Sequence, residues 1–253
     1  MIMKKIVLFA LVMTMSMTTF AQDDVDYQPS DAEHRSSKIE TTMTADIVSS
    51  YIWRGQDFGS AALQPTLGIA YKGLSLSFWG SYGLVNSADI KEIDLTLAYT
   101  IGGLNIGISD YWTNQDNGDI QNRYFKYDAH STNHVFGANI GYDFGVASFQ
   151  WFTNFAGHDG LNKDGKRAYS SYFEAVVPFK LASVDWAATA GVIPYATDYY
   201  NDWTSGFAVT NLSLEATKTI KFTDSFSIPV FVRVIANPYS QHAFMVMGLT
   251  LQP

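Results

Sequence analysis

The sequence predicts an all-β protein, an antiparallel, up-and-down transmembrane β-barrel of about twelve strands. Three observations predict it. Apolar residues recur at every second position and not every 3.6. The connections alternate between tight turns and longer polar loops. Of 253 residues, 16 % are charged and 15 % aromatic, against roughly 25 % charged in an average soluble domain. Mean hydropathy is −0.01, as expected if only alternate residues meet lipid.

Residues 1–21 read as a secretory signal peptide. Lys4 and Lys5 form its positive start, Ile6 to Met13 its apolar stretch, and Ala21 the cleavage residue. Residues 22–38 are polar and patternless, and read as a flexible periplasmic tail. The barrel domain is expected over 39–253. The period of two begins at Ile39. Leu74, Leu76, Phe78, Gly80 and Tyr82 alternate with Ser75, Ser77, Trp79 and Ser81. Ile93, Leu95, Leu97 and Tyr99 alternate with Asp94, Thr96 and Ala98. Trp186, Ala188 and Ala190, and Leu212, Leu214 and Ala216, continue the pattern.

Strands are expected at 40–53, 63–71, 74–84, 91–101, 104–112, 133–143, 147–156, 168–179, 184–195, 207–219, 226–236 and 243–251. Many approach the roughly 9–11 residues that a tilted strand needs to cross a bilayer. Every second connection is tight: Lys72-Gly73, Gly102-Gly103, Phe144 to Val146, Lys180 to Ser183, and Ile220 to Ser225. The others, Gly55 to Ala62, Val85 to Ile90, Thr113 to Thr132, Gly157 to Arg167, Ala196 to Gly206 and Asn237 to His242, are mostly longer and more polar. Short periplasmic turns and long extracellular loops are the sorting of an outer-membrane barrel. A soluble sandwich has no reason to sort loops by parity. Tyr51, Trp53, Tyr82, Tyr111, Trp112 and Tyr195 fall near the long-loop ends of strands, and Tyr71, Tyr99, Tyr142 and Phe179 near the tight-turn ends. Together they predict two interfacial girdles.

Composition also excludes. There is no cysteine, so there is no disulfide scaffold, thiol nucleophile or lipoprotein anchor. A formal net charge of −8 argues against a nucleic-acid partner, which needs surplus Lys and Arg.

Placing the apolar set of each strand toward lipid sends Asp46, Asp94, Glu174, Asp185, Glu215 and Arg233 inward, with Gln150, Asn154 and Asn211 as further polar lining. A basic residue on the lipid face would cost about 2–4 kcal/mol at mid-membrane, acids less. Two readings of these charges stand level: a net-acidic lumen that conducts small solutes, or a plug in which Arg233 and the carboxylates satisfy one another. Arg54, with Gly55, sits at the pore mouth, where it either turns over the opening or, as the preferred reading, anchors at the interface.

His130, His134, His158 and His242 fall in or beside the long loops with Asp116, Asp119, Asp128 and Asp159. They allow a His–Asp rim enzyme or a metal site, but no motif fixes their spacing. Asn114 to Asp119 resembles a calcium loop in composition and lacks its terminal Glu.

The stretch Ala45 to Gly55, then Leu63-Gln64-Pro65-Thr66-Leu67-Gly68 and Gly73 to Trp79, resembles the start of the TorF-type porin family of Gram-negative bacteria. That family opens on Ser-x-Tyr-aromatic-Arg-Gly, followed by a Gln and small-residue strand and a Gly-aromatic strand with a Trp. The chain as a whole also looks like uncharacterised Bacteroides-type secreted or outer-membrane proteins. Gln56-Asp57-Phe58 stands where the family has Ser-Gln-Ser, and the chain closes on Pro253 where many barrels close on an aromatic. The resemblance implies an outer-membrane barrel and a pore, with no particular solute.

The expectation is thus a small passive porin in a Gram-negative outer membrane, without cofactor or metal. Its partners would be membrane lipid, lipopolysaccharide, the barrel-assembly machinery and small solutes. The alternative is a non-conducting structural or surface-binding barrel, and the third reading is a rim hydrolase.

Overall fold

The computed structural model describes residues 38–114, 123–128, 131–200, 206–224 and 226–253. The signal-peptide segment, nearly all of the tail with His34, and His130, Asp116 and Asp119 lie outside them, as does most of the stretch Asn114 to Asp119. Among the described residues there is no helix.

Fourteen strands form in chain order: β1 (Glu40–Val48), β2 (Tyr51–Trp53), β3 (Gln56–Gly59), β4 (Ala62–Tyr71), β5 (Leu74–Gly83), β6 (Glu92–Ile101), β7 (Leu104–Thr113), β8 (His134–Asp143), β9 (Ser148–Gly157), β10 (Ser171–Leu181), β11 (Val184–Ile193), β12 (Ala208–Lys221), β13 (Ser227–Asn237) and β14 (His242–Leu251). Twelve of them, all but β2 and β3, close into one barrel. Each barrel strand pairs antiparallel with its chain neighbours, and β1 closes the ring by pairing with both β14 and β4. This is the up-and-down barrel of twelve strands that the alternation predicts.

One end of the barrel carries the tight connections, the other the long ones. At the turn end, Tyr71 faces Leu74 and Leu181 faces Val184, each across two residues. Lys72, Gly73, Ala182 and Ser183 there all have positive φ, as two-residue hairpin turns that match strand twist require. At the loop end, β7 connects to β8 and β9 to β10 by long excursions.

Burial is inverted relative to a water-soluble core. Leu67, Ile69, Leu74, Leu76, Leu95, Leu97, Ile106, Ile108, Val232, Val234, Met245 and Met247 are exposed on the outer wall. Thr66, Ser75, Ser77, Asp94, Thr96, Ser109, Glu215 and Thr217 are buried inside. The period of two sends each set to its own face.

Two expectations need correction. Strand 40–53 is not one strand. It breaks at Ser49-Ser50, and the residues beyond turn inward as the β2–β3 hairpin, so the stretch expected as a loop from Gly55 contains a strand. Tyr51 and Trp53 therefore do not belong to a girdle; both are buried inside. Tyr111 likewise leaves the girdle, because it lies on the inward face of β7 over Gly137. Tyr71, Tyr142, Phe179, Tyr82 and Tyr195 are exposed.

Candidate functional site in the lumen

The β2–β3 hairpin enters the lumen because its sequence leaves it no better place. Its residues Tyr51, Ile52 and Trp53 are apolar and consecutive, so no single face of an outer-wall strand could take all three. They join one buried cluster with Trp79 of β5, Phe152 of β9, Tyr172 of β10, Ile193 of β11, Phe231 and Ile235 of β13, and Val246 of β14. Trp53 faces Gln56 across Arg54-Gly55. Arg54 and Gly55 have φ of 50° and 81°, the left-handed pair a tight hairpin demands.

The base of the hairpin is pinned by the β5–β6 connection. The Ser60 amide donates to Asp89 Oδ2 at 3.1 Å and the Ile90 amide to the Phe58 carbonyl at 3.3 Å. Also at the base, the Tyr51 hydroxyl donates to Glu92 Oε2 at 2.8 Å. At the tip, Asn237 Nδ2, at the end of β13, donates to the Gly55 carbonyl at 3.0 Å. A Cβ on residue 55 would run into the Thr210 carbonyl oxygen. Thr210 is the extra residue of a bulge opposite Gly191 and Val192, so the bulge and the glycine together let the tip lie flat on β12.

Arg54 is the centre of this site. Its guanidinium carbon stands 4.2 Å from the ring centre of Phe152, 4.4 Å from Tyr172, 4.5 Å from Trp53 and 5.9 Å from Tyr200. Nη1 donates to the Tyr200 hydroxyl at 2.5 Å. Burial pushes the Tyr200 phenol above its ordinary value, so it remains a neutral hydroxyl whose oxygen accepts that bond. Beneath the cage, the Tyr172 hydroxyl donates to Glu174 Oε2 at 2.8 Å and accepts from Asn211 Nδ2 at 3.1 Å. Tyr172 fits because residue 191, on the neighbouring strand, is glycine; a Cβ there would strike the phenol. Arg54 is therefore no interfacial anchor. It lies inside the barrel, at the tip of an inserted hairpin.

A second cluster sits on β12, β13, β1 and β14. Arg233 Nε and Nη2 both reach Glu215 Oε2 at 2.7 Å. The two residues are register partners, so the ion pair follows directly from strand pairing. Thr250 Oγ1 donates to Asp46 Oδ1 at 2.6 Å, again between register partners. Elsewhere on the inward face, Asn139 Nδ2 donates to Asn105 Oδ1 at 2.7 Å and to Gln150 Oε1 at 3.3 Å. Asn154 Nδ2 donates to Asp159 Oδ1 at 3.2 Å. Asp185 faces Lys180 at 3.3 Å near the turn end. Asp94 is buried on β6 two residues from Glu92, on the same face. Asp46, Asp94, Glu174, Asp185, Glu215, Arg233, Gln150, Asn154 and Asn211 stand on the inward face of their strands. The structure brings Glu174 and Asn211 to the Arg54 cage, and Glu215, Arg233 and Asp46 to the second cluster.

Of the loop histidines, His134 meets a carboxylate, but not one of those expected. Nδ1 lies 2.7 Å from Asp110 Oδ1 and Nε2 2.5 Å from the Tyr124 carbonyl. Both residues are on the outer face of the barrel, roofed by Tyr127, whose ring stacks on His134 at 4.0 Å. Both imidazole nitrogens are occupied, so neither is placed to activate a nucleophile. His242 is exposed and contacts Ser240. Among the described residues, no group of three or more metal-ligating side chains comes together.

Comparison with known proteins adds little. No family model matches the chain, and no curated protein matches it. The TorF-type resemblance of residues 45–81 and the Bacteroides-type likeness thus gain no support from either. Among solved structures the chain is similar to Salmonella typhi OmpF in a complex with daunomycin, at 10 % identity and a TM-score of 0.37, covering 86 % of this chain and 98 % of that one. At that level the fold rests on the strand order and register of this chain itself.

Proposed function

We propose that this chain is an outer-membrane β-barrel that passes small solutes passively, with the β2–β3 hairpin as its constriction. The observation that carries this is the inverted burial. An apolar outer wall suits lipid, and a closed ring leaves no strand edge unpaired there. Away from the apolar cluster around the hairpin, the inner wall is polar. Several of its buried atoms, Asp94 Oδ1, Asn139 Oδ1 and Thr210 Oγ1, have no protein partner; such groups call for water. The wall's acids, Asp46, Glu92, Asp94, Glu174, Asp185 and Glu215, outnumber its bases, so cations should be preferred. In this reading residues 1–21 direct export, the long loops face the exterior and lipopolysaccharide, and the barrel-assembly machinery inserts the protein.

The test is conductance of the purified full chain in planar bilayers. Small discrete steps with cation preference are expected, larger when the hairpin is removed. Silence from both proteins would overturn the channel reading in favour of a structural barrel. The third reading, a rim hydrolase, is disfavoured by the two occupied nitrogens of His134.

A further inference from the structure

We infer that the ring cage around Arg54 is a binding site for planar organic cations, occupied in this state by the chain's own guanidinium. Trp53 arrives with Arg54 on the hairpin, but the other three rings come from a different part of the molecule. Phe152 and Tyr172 belong to barrel strands β9 and β10, and Tyr200 to the β11–β12 connection. Arg54 arrives on the tip of an inserted hairpin. Among the described residues no carboxylate lies within ion-pair distance of Arg54. Ring faces and one phenol oxygen hold it, with Glu174 and Glu92 as acids whose charges reach it.

Ring faces attract a delocalised, weakly hydrated cation most when water is excluded. Such contacts are not covalent to the hairpin, so a free cation of the same shape fits the same walls. Phe152 and Tyr172 take its faces, the Tyr200 oxygen accepts one N–H, and Glu174 balances the charge. The hairpin then acts as a tethered competitor. A ligand on a short tether competes at an effective concentration on the order of millimolar or above, so the wild-type site yields only to abundant solute. This deepens the channel reading, on which it rests for a route to the site, by naming the solute class: small molecules bearing a guanidinium or amidinium group.

The test uses the full chain in detergent, with methylguanidinium as probe and urea as its neutral counterpart of similar shape, read by saturation-transfer NMR of the probe. The variant is Arg54→Asn, since Asn tolerates the left-handed backbone that φ of 50° imposes and does not reach the rings. Methylguanidinium should bind Arg54→Asn at least tenfold more tightly than wild type. The gain should vanish in Arg54→Asn/Tyr172→Leu, and urea should give no saturable signal. Equal affinity in wild type and Arg54→Asn, a gain that survives Tyr172→Leu, or matching urea binding would overturn the proposal. Should Arg54→Asn fail to fold, Arg54→Gly keeps the turn and carries the same prediction. The two readings fail separately. Silent bilayers with saturable binding remove the channel and keep the cage, whereas a conducting protein without saturable binding does the reverse.

Discussion

The lumen holds two partly buried arginines in opposite ways. Arg233 stands on a barrel strand and meets Glu215, its register partner, at 2.7 Å through two nitrogens. Arg54 stands on an inserted hairpin and meets four ring faces and a phenol oxygen. Strand register fixes Cβ positions within a few ångströms, so a directional ion pair can be built into the wall. A hairpin tip has no such register with the wall it reaches, and ring faces tolerate small displacements where a forked ion pair does not. The wall arginine is therefore structural, and the hairpin arginine is exchangeable.

The largest expected effect breaks the hairpin side. Val48 already faces Ala62 across β1 and β4. Replacing residues 50–60 by a short Asn-Gly turn should leave the barrel closed and raise single-channel conductance several-fold. Unchanged conductance would show that the hairpin is not the constriction.

Breaking the wall side should instead cost stability. Glu215→Gln removes the carboxylate closest to the partly buried Arg233 while Asp46 stays in the same cluster, so a loss of about 3 kcal/mol is expected, the low end for a broken buried pair, read as a lower denaturant midpoint for loss of heat-modifiable gel mobility. Glu215→Gln/Arg233→Met should recover most of it. If the single variant matched wild type, the pair would not hold the wall.

Gly55→Ala sharpens the comparison from the hairpin tip. Its Cβ collides with backbone at Thr210. An overpacking cost of about 1–3 kcal/mol should unseat the tip and move conductance toward that of the hairpin deletion. Arg54→Asn should have the smallest effect on stability, a loss of about 2 kcal/mol or less, offset by the better turn residue. A loss as large as that of Glu215→Gln would mean that Arg54 is as structural as Arg233.

The twelve wall strands were legible in the sequence because an outer wall in apolar surroundings forces strict alternation, and their ends match the turn residues within a few positions. The hairpin was not legible. Ile47, Tyr51 and Trp53 share one register across the break at Ser49-Ser50, so the strand reads on where the chain leaves the wall. A signal was present in three successive apolar residues, Tyr51-Ile52-Trp53, which alternation cannot place. Phe152 lies between Gln150 and Asn154 on the same face, and Tyr172 stands two residues from Glu174. A parity argument that asked only where charges go passed over the aromatics that travel with them. Tyr200 carries no local signal, because a loop residue's inward reach depends on what comes to meet it.

The insertion of β2 and β3 between β1 and β4 also orders events during folding. β1 completes the ring with β14, about two hundred residues later in the chain, along a short register from Ala45–Leu251 to Val48–Gly248. Pairings this distant form late, because so much chain must be brought together first. The hairpin's ring partners lie on β9, β10 and the β11–β12 connection, none of which needs the β1–β14 seam. The plug can therefore settle against an open, curved sheet, and Val246 of β14 joins its cluster as the seam zips shut.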